Sequence, residues 1–366
     1  MKKSIPALFL LFAGVLLYAA KPTWQFAFLP PETDRAFFQE FQTKTVGKGP
    51  AADFEVNLTI DKQEKRETYT FCTVSYNVEA DERVKAYLLI PHHRPGEKLP
   101  LVFCLHPTFR EGKDVMLNRH DRPPRNAAEE KKWLNRANAL ELVELGFVCF
   151  LPDRYGYGDR GPDPAERDVI KSMRLAEGAL ARKHPNWHKT FGKVPWDLSR
   201  ALDGLLKLDF VDPARIGTEG HSLGGWDSLY FWGSDPRVRA AVVNSGGAHW
   251  IIRQMWLEPK WRTAFLDRKF PIKPGTDVCA QIYIMRGAPR PLLYMRGLKD
   301  AGTDYAQTPA ENARMIREYF VRRGGKGNFA CFFHDEGHDF PPYARALAWK
   351  WLAEQLKTQS FQGEKK

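Results

Sequence analysis

Hydrophobic and polar residues alternate along two early segments of the chain, and several later segments are continuously hydrophobic. Tyr69–Val78 and Arg83–Ile90 alternate apolar with polar residues and are rich in β-branched and aromatic side chains, which predicts two antiparallel strands. Short, continuous apolar runs predict strands that are buried on both faces. These runs are Leu101–Leu105, Phe147–Leu151, Arg215–Thr218, Arg239–Val243, Pro291–Met295 and Phe329–Phe333.

Helical patterns occupy the segments between these buried runs. The predicted helices cover Ala127–Leu145, Leu198–Leu208, a segment beginning after Ser222, Pro309–Arg323 and Tyr343–Leu356. Strands that alternate with helices form a mostly parallel sheet with helices on both faces. The sequence therefore predicts an α/β protein whose sheet has eight strands and begins with an antiparallel pair.

The spacing of these elements predicts one large domain with two insertions. We expect residues 21–60 to form an N-terminal extension and residues 61–358 to form the main α/β domain, with insertions near 156–195 and 246–290. Both insertions follow strand ends. Because ligands bind at the carboxyl ends of parallel strands, the insertions are expected to form lids or specificity walls.

The first 20 residues have the pattern of an export signal. Lys2 and Lys3 precede the uncharged apolar run Ile5–Leu17, and small residues follow it. This pattern predicts a secreted or periplasmic protein. Cleavage after Ala20 would leave Tyr18 at a position that prefers a small residue, so a retained N-terminal membrane anchor stays an alternative.

Composition and charge exclude several classes of protein. Hydrophobic residues make up 43% of the 366, including 24 Phe, which is too apolar for a disordered chain. The formal net charge is +11. Because the basic residues are dispersed and form no basic run, we expect a generally basic surface and no nucleic-acid partner.

Five cysteines leave at least one thiol without a partner inside the chain. Cys104, Cys149 and Cys331 lie within predicted buried strands, where cysteine acts as a small hydrophobic residue. Cys72 and Cys279 remain candidates for a disulfide. We expect that disulfides do not hold this fold together.

The strongest chemical signal is the segment Gly220-His221-Ser222-Leu223-Gly224, a G-x-S-x-G between a predicted strand and a predicted helix. A serine on so sharp a turn needs neighbours without a Cβ atom. The N-terminus of the following helix presents N–H groups that stabilise a developing oxyanion. The pattern predicts that Ser222 is a nucleophile.

A serine nucleophile needs a base, and the base needs a carboxylate that orients it. Asp300 directly follows the strand that ends at Gly297, and Asp304, four residues further, is the alternative acid. His338 lies in the loop between the last strand and the last helix. The order serine, acid, histidine is that of one class of hydrolases.

Two further motifs follow predicted strands. The third strand is followed by His106-Pro107-Thr108, and the fourth by Asp153-Arg154-Tyr155-Gly156-Tyr157-Gly158. Together with Ser222, Asp300 and His338, these motifs match those of a known family. From about Tyr69 to Leu356 the chain resembles the α/β-hydrolase superfamily, and within it the secreted serine esterases similar to dienelactone hydrolase and acetyl xylan esterase. Dienelactone hydrolases carry cysteine at the nucleophile position, so Ser222 favours ordinary ester cleavage.

The resemblance implies a role for each of these residues. Ser222 would be the nucleophile, His338 the general base and then acid, and Asp300 its orienting carboxylate. The backbone N–H groups of Leu223 and Thr108 would form the oxyanion hole. Pro107 stands where the family usually has glycine, and it has no N–H to donate.

The resemblance also implies a substrate class. We expect an acyl-enzyme hydrolase of short acyl esters, acetyl above all, on a small molecule or a polysaccharide, with no cofactor and no metal. Membrane contact is expected only if the N-terminal segment is retained. Trp226, just past the nucleophile, is a candidate substrate-binding residue, and the second insertion adds Trp250, Trp256 and Trp261.

Two other functions stay open. The prolyl-oligopeptidase type of serine peptidase shares this catalytic domain. It normally carries a propeller domain as well, whereas about 60 residues precede the predicted core here, so we favour this interpretation less. A catalytically inactive hydrolase fold that serves as a binding protein is the second alternative.

Overall fold

The computed structural model describes residues 38–39, 41–163, 166, 168–246, 277–300 and 307–356. They form a sheet whose nine described strands have the spatial order β1-β2-β3-β5-β4-β6-β7-β8-β9. The strands are β1 (Thr59–Lys65), β2 (Tyr69–Glu79), β3 (Glu82–Pro91), β4 (Leu99–Leu105), β5 (Val148–Pro152), β6 (Val211–His221), β7 (Ala240–Asn244), β8 (Leu292–Gly297) and β9 (Phe329–His334).

The sheet is antiparallel at one side and parallel through the rest. β1, β2, β3 and β5 pair antiparallel in that order. From β5 through β4 and β6 to β9 every pairing is parallel. The carboxyl ends of these parallel strands therefore share one edge, where the segments after β4, β6, β8 and β9 meet.

The predicted fold class is confirmed, but the predicted eight strands were one too few. The missed strand is β1, which pairs with β2 and lies at the end of the sheet formed by the described strands. Five of its seven residues are exposed, so its sequence shows no apolar alternation. An edge strand of this kind is held by backbone hydrogen bonds and leaves little trace in the hydrophobic pattern.

Eight α-helices of the described chain surround the sheet. They are α1 (Ala127–Leu134), α2 (Asn138–Glu144), α3 (Val169–Lys183), α4 (Val194–Leu205), α5 (Leu223–Ser234), α6 (Asp277–Gly287), α7 (Gln307–Arg322) and α8 (Pro342–Leu356).

Two apolar clusters fill the two faces of the sheet. Successive residues of β4 divide between them, with Phe103 in one cluster and Val102 in the other, because neighbouring side chains of a strand point to opposite faces. α4, α5, α6 and α7 contribute to the first cluster, and α2 and α8 to the second. Helices on both faces were expected from the sequence.

The single helix predicted over Ala127–Leu145 is in fact two. α1 ends at Leu134 and α2 begins at Asn138. Between them Arg136 turns inward and is only 1% exposed. Its guanidinium binds Asp339 in the loop that carries His338. The helix is interrupted at the residue that makes this tertiary contact.

The first insertion contains a helix that the sequence interpretation did not predict. α3 begins after Asp168, whose side chain accepts hydrogen bonds from two backbone N–H groups of the first turn. It buries only Ser172, Ala176 and Leu180, which is a weak apolar stripe. Most of the second insertion, residues 247–276, lies outside the described residues, and the domain boundaries stay predictions.

Two further observations concern the termini and the thiols. Residues 1–20 lie outside the described part, and none of the described helices combines the length and apolar character needed to span a membrane. Cys72, Cys104, Cys149 and Cys331 are free thiols. The side chain of Cys279 lies outside the description.

Candidate active site

Ser222 lies on the turn between β6 and α5, with φ 58° and ψ −118°. A positive φ combined with this ψ is a sparsely populated backbone conformation, which costs a residue with a Cβ atom about 1–3 kcal/mol. The backbone N–H of Ser222 donates to the carbonyl of Asn244 on β7 at 2.9 Å. A strained backbone held by the neighbouring strand marks a site where the fold enforces a side-chain position.

The glycines on either side of Ser222 are required by close backbone contacts. A Cβ atom on Gly220 would lie 2.2 Å from the carbonyl carbon of Gly224. A Cβ atom on Gly224 would lie 1.9 Å from the carbonyl oxygen of Leu105, at the end of β4. The turn is therefore closed on itself and pressed against the segment that follows β4.

Ser222, His338 and Asp300 form a continuous hydrogen-bonded chain. Ser222 Oγ lies 2.8 Å from His338 Nε2, and His338 Nδ1 lies 2.9 Å from Asp300 Oδ2. The carboxylate can only accept, so Nδ1 carries a proton and Nε2 is free to accept from the serine hydroxyl. The structure thus brings together the three residues predicted from the sequence in the arrangement of a nucleophile, a base and an orienting acid.

Asp300 is the buried member of this chain, and His338 is the accessible one. The Asp300 side chain is 6% exposed, whereas the imidazole of His338 is 47% exposed. Burial by itself raises the pKa of Asp300, but the hydrogen bond with His338, the attraction of that imidazole when it is protonated and the charge of Arg296 outweigh burial, so the pKa lies below its usual value. Asp300 therefore stays ionised and can stabilise an imidazolium at His338.

The loops after β8 and β9 are tied to each other, which fixes the acid relative to the base. Leu298 N–H donates to the His334 carbonyl at 2.7 Å, and Lys299 N–H donates to the Glu336 carbonyl at 3.0 Å. A Cβ atom on Gly297 would lie 2.1 Å from the carbonyl oxygen of Gly337, so only glycine permits this approach.

The buried side chain of Arg136 binds the loop that carries His338. Arg136 Nη1 donates to Asp339 Oδ1 at 2.5 Å, and Nη2 donates to the backbone carbonyl of His338 at 3.2 Å. Burial lowers the pKa of Arg136, and the charge of Asp339 opposes that effect. This contact holds the backbone of His338 itself.

Asn244, at the end of β7, connects the nucleophile turn with the same loop. Its Nδ2 donates to His221 Nδ1 at 2.7 Å and to the Asp339 carbonyl at 2.9 Å, and its Oδ1 lies 3.3 Å from His334 Nε2. Burial holds the pKa of His221 well below its usual value, so this imidazole is neutral. His221 lies under the triad, 4.8 Å from the His338 ring, as a packing residue.

The predicted oxyanion donors lie on the two segments that border Ser222. Leu223 is the first residue of α5, and Thr108 is exposed in the loop after β4. In the described part of the chain, neither backbone N–H has a hydrogen-bond acceptor. Both groups are therefore available to a substrate, and their role in an oxyanion hole stays a prediction.

One buried carboxyl group lies three residues before the nucleophile. Glu219 is fully buried on β6, and its Oε2 accepts a hydrogen bond from Asn138 Nδ2 at 3.2 Å. Burial raises the pKa of Glu219 to about 8. The group is therefore mostly protonated at neutral pH, and its side-chain hydrogen bonds in the described structure go to Asn138 and Cys104.

Several candidate residues lie elsewhere or outside the description. The Trp226 ring is partly buried, packs on the apolar core and lies 5.9 Å from the Tyr230 ring. Its substrate-binding role stays a prediction. Asp304, Trp250, Trp256 and Trp261 lie outside the described residues.

Among the described side chains, no group of three His, Cys, Asp or Glu is arranged to hold a metal ion.

Arg136 and Asn244 were missed by the sequence interpretation. Arg136 stood inside a predicted amphipathic helix, where an arginine normally faces solvent. Asn244 ends an apolar strand and is 0% exposed. A polar residue at the carboxyl end of a buried parallel strand was a usable signal, because that edge holds the ligand site.

The chain is similar to several known proteins. Residues 186–359 match the prolyl oligopeptidase family. The chain is also 25% identical over 273 residues to "Putative hydrolase YtaP" of Bacillus subtilis (strain 168), covering 74% of this chain and 81% of that protein.

Solved structures share nearly the whole architecture. A glucuronoyl esterase from Solibacter usitatus superposes with a TM-score of 0.60 at 16% identity, covering 89% of this chain and 92% of that one. A "putative acetyl xylan esterase" from Bacteroides fragilis NCTC 9343 gives 0.62 at 15% identity, covering 96% and 95%. The chain has the α/β-hydrolase fold. In this α/β-hydrolase fold Ser222, Asp300 and His338 follow β6, β8 and β9, respectively.

Proposed function

We propose that this protein is an exported serine hydrolase that cleaves carboxylic esters through an acyl-enzyme, with short acyl esters of carbohydrate as its substrates. The observation that carries the proposal is the chain from Ser222 Oγ through His338 to Asp300, with links of 2.8 Å and 2.9 Å. The fold shared with a glucuronoyl esterase and a "putative acetyl xylan esterase" supports an ester of a carbohydrate as substrate.

In the first half-reaction the ester carbonyl carbon is attacked by Ser222 Oγ while the hydroxyl proton passes to His338 Nε2. Asp300 stabilises the imidazolium that results. The carbonyl oxygen becomes an oxyanion, for which the N–H groups of Leu223 and Thr108 are the proposed donors. Collapse of the tetrahedral intermediate breaks the bond to the alcohol oxygen, which takes the proton from His338 and leaves.

In the second half-reaction water hydrolyses the acyl-enzyme. His338 Nε2 accepts a proton from the water, whose oxygen attacks the acyl carbon. A second tetrahedral intermediate collapses, Ser222 Oγ recovers its proton from His338, and the carboxylic acid is released. Since His338 is 47% exposed, water can reach its imidazole.

The test compares 4-nitrophenyl acetate, butyrate and octanoate as substrates. We expect acetate to be cleaved fastest and Ser222→Ala to lower kcat by about 10⁴-fold or more. Ser234→Ala, at the opposite end of α5, is the matched control and keeps the wild-type rate. Wild-type protein that is inert towards all three esters would contradict the proposal and favour a binding function.

The choice of an acetyl group needs a second comparison. Acetylated xylo-oligosaccharide and the methyl ester of glucuronic acid place the ester on a sugar hydroxyl and on a sugar carboxyl, respectively. We expect release of acetate at the higher kcat/KM. Preferential release of methanol would instead assign the protein to esters of sugar acids.

A peptidase is the second candidate because residues 186–359 match the prolyl oligopeptidase family. A proline-containing peptide 4-nitroanilide tests it beside 4-nitrophenyl acetate. We expect the acetate to have the higher kcat/KM by several orders of magnitude. The opposite ranking would make peptide hydrolysis the primary activity.

Export is proposed from Lys2, Lys3 and the apolar run Ile5–Leu17. Expression of the full chain in a bacterium, followed by fractionation and mass measurement, tests this proposal. A periplasmic protein whose mass corresponds to cleavage near Ala20 is the expected result. Full-length protein in the membrane fraction would indicate a retained anchor, and full-length protein in the cytoplasm would refute export.

A further inference from the structure

We infer that His106 is a positioning residue of the oxyanion hole, which fixes the direction of the Thr108 N–H through the intervening peptide group. The inference rests on the proposed ester hydrolysis and adds a residue to it. His106 directly follows β4 and is 2% exposed. Within the described part of the chain, the hydrogen bonds and ring contact of its side chain involve Pro107, Arg154 and Tyr157.

The two ring nitrogens of His106 have different partners. Nε2 lies 3.1 Å from the backbone nitrogen of Arg154, which can only donate. Nε2 is therefore the acceptor, and the proton of the neutral ring is on Nδ1. Burial lowers the pKa of His106, which keeps the ring in this neutral form. Nδ1–H then donates to the carbonyl of Pro107 at 2.8 Å.

That carbonyl belongs to the peptide group whose nitrogen is Thr108 N. A trans peptide is planar, and its C=O and N–H point in opposite directions. A hydrogen bond that holds the Pro107 oxygen on one side therefore directs Thr108 N–H to the other. Because proline has no N–H, Thr108 provides the first amide after His106 that can serve an oxyanion.

The imidazole is itself anchored to the nucleophile helix. Arg154, whose N–H binds His106, donates from Nε to Asp227 on α5 at 2.7 Å, and both side chains are 5% exposed. α5 begins at Leu223, the other proposed oxyanion donor. Contacts through Asp227, Arg154 and His106 therefore fix the position of the Thr108 N–H relative to the Leu223 N–H.

Contacts between the backbones place this loop beside the nucleophile turn. A Cβ atom on Gly224 would lie 1.9 Å from the Leu105 oxygen and 3.0 Å from the His106 oxygen. A rotation of the Pro107–Thr108 peptide would leave this packing intact and would remove only the aligned N–H. Loss of His106 should therefore act on the transition state more than on the fold.

Two near-isosteric variants separate the two hydrogen bonds of the ring. In His106→Asn the amide nitrogen occupies the position of Nδ1 and can still donate to the Pro107 carbonyl. In His106→Gln the amide reaches the position of Nε2 and can only replace the contact with Arg154. We expect His106→Asn to retain kcat/KM for 4-nitrophenyl acetate within a few-fold. His106→Gln should lower it about 10²-fold with little change in KM.

A trifluoromethyl ketone supplies a readout that a purely structural role would not change. Ser222 Oγ adds to its carbonyl carbon, the proton passes to His338, and the resulting alkoxide occupies the oxyanion hole. The inhibition constant does not depend on the fraction of folded protein. We expect it to rise in His106→Gln by the same factor by which kcat/KM falls.

His93→Gln is the matched control, because the Nδ1 of that exposed histidine lies 3.0 Å from the Pro91 carbonyl away from the site. We expect wild-type kinetics from it. Equal effects of the Asn and Gln variants, or an inhibition constant that does not follow kcat/KM, overturn the inference while the esterase activity stands. Wild-type protein that cleaves no ester overturns both the inference and the proposed function.

Discussion

The side-chain amide of Asn244 donates a hydrogen bond to the backbone carbonyl of Asp339 over 2.9 Å. Asn244 ends the strand next to the nucleophile, and Asp339 is the residue after His338. The same asparagine accepts the Ser222 N–H through its own carbonyl. One buried residue therefore connects the backbone of Ser222 with the loop of His338.

The identity of the acid can be decided by two substitutions. We expect Asp300→Asn to lower kcat about 10⁴-fold, because the amide cannot hold the Nδ1-protonated tautomer of His338. Asp304→Asn is the matched control and should keep activity near wild type. Steady-state kinetics with 4-nitrophenyl acetate measure both. Loss of activity in Asp304→Asn alone would transfer the role to Asp304.

Arg136→Lys tests whether the contact of Arg136 with the His338 loop is needed for activity. Lysine keeps the positive charge but cannot reach both the Asp339 carboxylate and the His338 carbonyl. We expect kcat to fall about 10- to 100-fold with little change in KM, because the imidazole loses its alignment. Arg345→Lys, whose guanidinium binds Glu141 and the Phe340 carbonyl, is the control. Equal losses of kcat in the two variants would mean that Arg136 acts only through stability.

Gly224→Ala should abolish activity and reduce stability. The added Cβ atom would lie 1.9 Å from the Leu105 carbonyl oxygen, so backbone has to move at the nucleophile turn. Gly178→Ala in α3 is the matched control, since its Cβ atom meets only Arg182 Nη1 at 3.5 Å. We expect the control to gain about 0.5–1 kcal/mol in the free energy of unfolding. Denaturant titration and ester kinetics measure both variants, and a fully active Gly224→Ala would refute the packing argument.

Glu219 predicts how stability depends on pH. Its pKa rises from 4.5 when unfolded to about 8 when folded, because the carboxyl group is buried. Between these values the unfolded chain binds fewer protons than the folded one, so this group lowers stability as pH rises. At pH 7 the loss amounts to about 3 kcal/mol.

Glu219→Gln removes this proton linkage while it retains an acceptor for Asn138. We expect the free energy of unfolding of the variant to exceed that of wild type at pH 7, and the difference to shrink towards pH 5. Glu67→Gln, at an exposed position, is the control and should follow the wild-type curve. If the free energies of unfolding of Glu219→Gln and wild type change with pH in parallel, the carboxyl group does not titrate as its burial requires.

Most of the fold was predictable because buried parallel strands and the helices between them have strong apolar patterns. The elements that were missed share a weak pattern. β1 is mostly exposed, and α3 buries only small or isolated residues. The helix break before Asn138 depended on Arg136 binding a residue about two hundred positions away, which no local pattern contains.

The sequence by itself determined the α/β architecture, the nucleophile turn and the order of Ser222, Asp300 and His338, because local periodicity and turn chemistry specify them. Only the tertiary structure decided that these three side chains form one hydrogen-bonded chain, and which buried residues hold the segments around them. Arg136, Asn244 and His106 act through contacts between segments that are distant in sequence. Such contacts exist only after the strands pair and bring their carboxyl ends to one edge of the sheet.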